Sequence, residues 1–402
     1  MITLPLAAGG PVADALVDLF IVLLAAKIGD EIFKRLGQPT IIGEILAGVI
    51  VGPAVFGLVG VTEVLEVFAE LGVVFLLFWV GLETRITDLR EVGSSALRTG
   101  VLGVVLPFAG GFGLGVALGE STSTSTFLGA ALVATSVGIT SAVLIELGAL
   151  TSRAGRTIIG AAIVDDILAM LILAVAVGLA AGGTDVVGLL VIVVLALSFV
   201  AFFALGGTAL MRRWPGTLAA PKFSESPLLP AVILCLGLAA LAAEIGLAAI
   251  IGAFLAGMMV AETKEQHPVE EEVAPLYAFF PPFFFVVIGM QLDLGALAQP
   301  GTILLLVGVT ALAAATKFVG AWLGARSLGK AEAAFVGVGM VPRGEVGIIV
   351  AGIGEASGVV GPRVFAIVVG MSILTTLLVP PVLRALAKRL PPDRAAPELQ
   401  SS

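Results

Sequence analysis

The chain of 402 residues is 59% hydrophobic and only 12% charged, with a mean hydropathy of +1.15 and a formal charge of -8, which excludes an ordinary soluble globular protein. Fifty-one glycines and 21 prolines with few aromatics suit closely packed, locally interrupted membrane helices better than a barrel, whose strands alternate apolar and polar residues. The expected class is an all-α polytopic membrane protein, and the acids, gathered around Glu270 to Glu272 and between helices, imply no nucleic-acid partner.

Apolar runs of about 17 to 25 residues are the spanning unit. Thirteen are read in chain order: 12–36, 40–58, 64–84, 95–118, 126–148, 156–181, 185–212, 227–244, 247–262, 273–293, 301–326, 332–356 and 362–388. The first lacks a basic flank and reads as a retained helix rather than a cleaved signal. Helices 8 and 9 run together through "LAAEIGLAAIIGAF" and are divided at Glu244 and Gly246. Loops after odd-numbered helices hold most of the 21 basic residues, among them Lys34, Arg35, Arg85, Arg90, Arg98, Arg153, Arg156, Arg212, Arg213, Lys222, Lys264, Arg326 and Lys330. The tail adds Arg384, Lys388, Arg389 and Arg394, whereas loops after even-numbered helices hold only Arg363. The positive-inside rule then predicts an external N-terminus, a cytoplasmic C-terminus and a place in the cell (inner) membrane. The chain stops soon after helix 13, so residues 1–402 are expected to form one membrane unit without a soluble regulatory domain.

Several other residues that could carry chemistry have plainer readings. Cys235 has no second cysteine to pair with and reads as packing, and His267, in "AETKEQHPVEEE", reads as a solvated loop residue. Lys27 lies one helical turn from Asp30 and Glu31, where snorkelling is an adequate account. "GESTSTST" (119–126) reads as a flexible connection.

Two helices are expected to be broken. Helix 5 contains "LVATSVGITSAVL", with Thr135, Ser136, Gly138, Thr140 and Ser141 at its middle; helix 12 contains "GVGMVPRGEVGIIV", where Pro342 and Gly344 bracket Arg343. Proline removes a helical hydrogen bond and clashes with the preceding turn. If helices 1–6 and 8–13 are two repeats joined by helix 7, both broken helices are fifth elements, and the second repeat is inverted. Interrupted spans at matching places in two halves point to an ion or substrate site at the membrane midplane.

Asp165 and Asp166, in "AAIVDDILAML", fall near the centre of helix 6, and Lys317 near the centre of helix 11. Unpaired charges at that depth cost at least about 2.5 to 3.5 kcal/mol each, so they usually pair or line a cavity. Adjacent helical residues point about 100° apart, so one aspartate can meet Lys317 while the other faces water. A buried ion pair that merely ties helices together is the bland alternative for Asp165 with Lys317, but a second aspartate adds charge that no structural role requires. Low dielectric and a neighbouring carboxylate favour protonation of a carboxylate whereas an ammonium opposes it, so such a cluster is suited to proton exchange near neutral pH. With the Ser136 or Thr135 hydroxyl and carbonyls freed by a broken helix, a carboxylate makes a hard-oxygen site for a small dehydrated cation. Proton and cation competing for one site is sufficient for antiport. It needs no enzyme chemistry, no cofactor and no ATP, for which no phosphate-binding run is present.

The stretches "RLGQPTIIGEILAGVIVGPAVFGL", "LGVVFLLFWVGLET", "ALVATSVGITSAVLIELG", "GAAIVDDILAM", "GAFLAGM", "TKFVGAWLGA" and "GMVPRGEVGIIVA" together resemble the monovalent cation:proton antiporters, most of all the electrogenic NapA-type sodium/proton exchangers. The resemblance implies a thirteen-helix, NhaA/NapA-like inverted-repeat fold with two crossed unwound helices, working as a homodimer by an elevator-like motion in the bilayer. It implies a core domain of residues 95–181 and 301–388, a dimerisation domain of 12–84 and 227–293, and a linker helix at 185–212. It further implies that Asp166 binds Na+ and that Asp165 pairs with Lys317. Arg343 and Glu345 match a charged pair of the second broken helix, with a structural role or one tuning Lys317. Electroneutral relatives carry Asn before the aspartate, and this chain contains no asparagine. Glu44 and Glu83 rank below this cluster, and Glu244 reads as a helix-end or interface residue. The expected function is Na+ (or Li+)/H+ exchange by alternating access, electrogenic, with more than one proton per cation. The rivals are K+/H+ antiport and a channel or sensor on the same scaffold.

Overall fold

The computed structural model describes residues 10–36, 38–84, 86–180, 186–213, 228–262, 269–292, 295 and 301–390, and the described residues contain no strand. The helices are α1 (Pro11–Arg35), α2 (Thr40–Val51), α3 (Glu63–Leu82), α4 (Ile86–Ala117), α5a (Thr122–Ala131), α5b (Val137–Glu146) and α6 (Arg153–Ala180). Next comes α7, formed by Val186–Ala201, a π-helical turn Phe202–Gly207 and Thr208–Arg213. The remainder are α8 (Leu228–Glu244), α9 (Ala249–Ala261), α10a (Val269–Phe279), α10b (Pro281–Met290), α11 (Thr302–Gly324), α12a (Lys330–Gly339), α12b (Glu345–Ala356) and α13 (Pro362–Ala387). By length and apolar composition, six of the described helical stretches can each cross a membrane unaided. Large apolar side chains such as Leu16, Phe20, Leu24, Ile303 and Leu304 face outward, the inside-out pattern of a chain solvated by lipid.

Two groups of helices pack among themselves. In one, α4 lies along both α11 and α6, and α13 along α11 and α12b. In the other, α3 packs on α9 and α10b, α2 on α1 and α10b, and α8 on α9. Glycines set the close approaches inside each group. A Cβ at Gly320 or Gly324 of α11 would run into the α4 backbone at Leu102 or Thr99, and Gly81 and Gly257 face each other between α3 and α9. Gly43 does the same toward Gly29, and Gly48 toward Val286. Helix α5b touches both groups, α2 and α3 of one and α6 and α13 of the other, and its Gly138 faces the side chains of Val73 and Phe284. Helix α7 touches α6 on one side and α9 on the other.

Several boundaries differ from the sequence reading. The break in helix 5 lies at residues 132–136, so Gly138, Thr140 and Ser141 are helical rather than unwound. The break in helix 12 spans residues 340–344, around Pro342. An interruption at Phe280, ahead of Pro281 and Pro282, and the π-helical turn in α7 come in addition. The division of helices 8 and 9 falls between Glu244, which is exposed, and Ala249. Arg85, Lys222, Lys264, His267 and Arg394 lie outside the described residues.

Candidate functional site

The two breaks cross at the centre of the first group. Ser136 N donates to Pro342 O at 2.8 Å, tying one unwound segment directly to the other. Thr135 Oγ1 donates to Met340 O at 3.2 Å, and Thr140 Oγ1 to Gly339 O at 2.8 Å. Thus hydroxyls from the α5 region satisfy carbonyls that α12a leaves open at its C-terminal end, where a helix always has unpaired acceptors. Gly344 is required by this crossing: a Cβ there would overlap the Ser136 side chain. Gly344→Ala therefore destabilises the protein by about 1 to 3 kcal/mol, the usual cost of overpacking. Thermal unfolding reads this loss, and Ser136→Gly in the same chain recovers most of it.

The C-terminal end of α5a is served by two cations from far along the chain, Lys317 and Arg343. Lys317 Nζ donates to Val133 O at 2.6 Å. Arg343 Nη1 donates to Val133 O at 2.7 Å and Ala134 O at 2.9 Å, and its Nη2 to Ala313 O at 3.2 Å. Both side chains are fully buried. Cations at a helix C-terminus offset the negative end of the helix dipole. Freed carbonyls in the first break were an expected cation ligand, but at Val133 and Ala134 they are already occupied by the protein's own charges. Helix α13 holds the Arg343 backbone: Arg343 N donates to Thr375 Oγ1 at 3.1 Å, and Thr376 Oγ1 donates to Arg343 O at 3.0 Å.

Asp165 is fully buried and accepts from Lys317 Nζ through Oδ1 at 2.5 Å and from Thr135 N through Oδ2 at 2.9 Å. Helix α4 leaves space for the lysine because Gly103 faces its aliphatic stem. Asp166 points elsewhere. It is 4% exposed and lines a cavity of about 10 Å³ with Leu77 of α3, Val137 of α5b, Ile159 and Ile163 of α6, and Ile250, Ile251 and Phe254 of α9. A cavity that small is at the lower limit for a single water. Asp166 thus sits where the two helix groups meet, behind apolar side chains, whereas Asp165 sits wholly inside the first group. The side chain of Glu345 lies outside the described residues.

Glu44 stands apart from this cluster. It is buried on α2, at a cavity shared by α1, α2, α3, α5b and α10. Its setting is not legible in the sequence, because α3, α5b and α10 bring the cavity's other walls from distant parts of the chain.

The family described as "Sodium/hydrogen exchanger, transmembrane" matches residues 19–389. The chain is 37% identical to the Na(+)/H(+)-K(+) antiporter GerN of Bacillus cereus over 91% of its length and 95% of that protein's. It is 35% identical to the high-affinity Na(+)/H(+) antiporter NhaS3 of Synechocystis, over 93% and 90% respectively. Among solved structures, the sodium proton antiporter MjNhaP1 of Methanocaldococcus jannaschii superposes with a TM-score of 0.68 at 18% identity, covering 94% of this chain and 99% of that one. At that identity the likeness speaks for the fold alone.

Proposed function

The chain belongs to the transmembrane sodium/hydrogen exchanger family, and from that premise we propose that it exchanges Na+ or Li+ for protons electrogenically, by alternating access. As an integral membrane antiporter it moves cations one way and protons the other. The observation that carries the finer reading is the division between the two aspartates. Asp165 is held by Lys317, while Asp166 lies at the junction of two helix groups, where relative motion can open it first to one side and then to the other. In this reading Asp166 binds cation or proton in turn, with Ser136 and Thr135 as neighbouring oxygens. The Asp165 and Lys317 pair carries the further proton that makes the exchange electrogenic. Pro342 and Gly344 maintain the second break, and Arg343 the charge balance of the first.

The packing supports an elevator-like division into a core of residues 95–181 and 301–388 against 12–84 and 227–293, with 185–212 as linker. The backbone-to-backbone approaches at Gly320, Gly324, Gly81 and Gly257 each lie within one group. In this reading α4 packs on α6 and α11 on α13 as parts of two inverted repeats within thirteen crossings. A homodimer in the inner membrane, N-terminus outside and C-terminus cytoplasmic, completes the proposal. Lys34 and Arg35 at the end of α1 and Arg384 at the end of α13 fit that orientation.

GerN is a Na(+)/H(+)-K(+) antiporter, which favours potassium as a second coupled cation here. Flux in proteoliposomes under an imposed potential, with Na+, Li+ and K+ compared, tests all of this. Sodium- or lithium-driven proton flux that responds to voltage is expected. Flux that is voltage-independent, or driven by K+ alone, would overturn the electrogenic sodium reading, and cation movement without proton counterflow would indicate a channel.

A further inference from the structure

Away from the paired aspartates, a cavity of about 330 Å³ opens between the two helix groups, with Lys27, Asp30, Thr40, Glu44, Glu146 and Tyr277 as its polar lining. Three carboxylates share it, and their situations differ. Asp30 is paired with Lys27 at 3.3 Å, at the exposed rim. Glu146, at the end of α5b, accepts from Thr40 N at 3.1 Å. Thr40 is the first residue of α2, so the carboxylate sits on a helix N-terminus, which favours negative charge. Glu44 is 6% exposed and has neither a hydrogen bond nor an ion pair among the described residues. Lys27, which lines the same cavity, already pairs with Asp30 and acts on Glu44 only at longer range, so this buried carboxylate needs a further counter-charge or a proton.

We propose that this cavity is a second binding site, for a hydrated monovalent cation, with Glu44 as its charged ligand. Among the described residues no three acidic, histidine or cysteine side chains converge closely enough to hold a bare metal ion. The occupant therefore keeps its waters, each of which needs only about 10 to 15 Å³ of such space, and Thr40, Tyr277, Asp30 and Glu146 supply oxygens around that shell. Position gives the site its use. Leu76 lines this cavity and Leu77 the one at Asp166; Ala142 lines this cavity and Val137 the other. Five residues along α5b correspond to about 7.5 Å. A cation held at Glu44 thus waits a short step from Asp166, at the end of the molecule that carries Lys34 and Arg35. This step rests on the antiport reading; the binding site itself does not.

The test is ²³Na relaxation of the purified full-length protein in detergent, titrated with NaCl at constant ionic strength in choline chloride. Asp166→Asn removes the principal site, and saturable excess relaxation is expected to persist in it. Glu44→Gln in that background is expected to abolish the remainder, and Glu44→Asp to retain it with weaker affinity. Size-exclusion chromatography and thermal unfolding identify any variant that fails to fold, and Glu44→Asp then decides alone, through its shifted half-saturation. No saturable relaxation in Asp166→Asn, or relaxation indifferent to Glu44, overturns the proposal and leaves Glu44 neutralised by a proton. Transport by Asp166→Asn would instead overturn the assignment of the principal site, whatever the relaxation shows.

Discussion

Asparagine at position 166 abolishes cation-dependent proton flux in proteoliposomes, and raising Na+ does not restore it. Two losses combine. Contacts to a charged group contribute about 1.5 to 3 kcal/mol against about 0.5 to 1.5 kcal/mol for neutral ones, so cation affinity falls by roughly 5- to 13-fold. An amide also does not titrate, so the proton half of the cycle disappears entirely and saturation cannot compensate. The near isosteric change leaves the apolar lining of Leu77, Val137, Ile163, Ile250 and Phe254 in place, so the protein still folds. Proton flux that recovers at high Na+ would show that Asp166 aids binding without carrying the proton, and the division of roles between the aspartates would fall.

Glutamine in place of Lys317 removes the voltage dependence of exchange and destabilises the protein by about 3 to 5 kcal/mol, the range for breaking a buried ion pair from one side. The cause is visible around Asp165. With the ammonium gone, its carboxylate keeps Thr135 N as a donor and loses the only cation in contact with it among the described residues. Val133 O keeps Arg343, so the first break is not left uncapped. Adding Asp165→Asn restores most of the stability, because a neutral pair no longer strands a charge, but it does not restore voltage dependence. Thermal unfolding of the two single variants and the double variant gives the coupling, and flux under stepped potentials gives the charge movement. Unchanged voltage dependence in Lys317→Gln would mean that the lysine is purely structural.

Much of this arrangement was legible from the chain. Hydropathy marked an all-helical membrane chain because lipid imposes a length scale; shared depth anticipated that one of the two aspartates meets Lys317, and the resemblance assigned that contact, made across 152 residues, to Asp165. Proline marked the second break correctly. The first has no proline, and the small polar residues that seemed to mark it run on into α5b, where Thr140 keeps its helical conformation while its hydroxyl bonds Gly339 O. The interruption at Phe280 had a visible signal in Pro281 and Pro282, overlooked because the run was apolar enough to pass as one span. Arg343 reaching carbonyls about two hundred positions earlier could not be read locally. Neither could the isolation of Glu44, since a missing partner is a property of the assembled cavity.

The sharing of Val133 O by Lys317 and Arg343 bears on how the chain is made. The carbonyls at the end of α5a and the carboxylate of Asp165 emerge from the ribosome long before either cation is synthesised. In hydrocarbon each such group is costly until it is satisfied. The first half of the molecule consequently enters the bilayer with Thr135 N as the one donor it supplies to Asp165 among the described residues, and the charge is balanced only once residues 317 to 343 have followed. A chain truncated before α11 is expected to insert yet remain protease-sensitive, and co-expression of the missing portion should protect it.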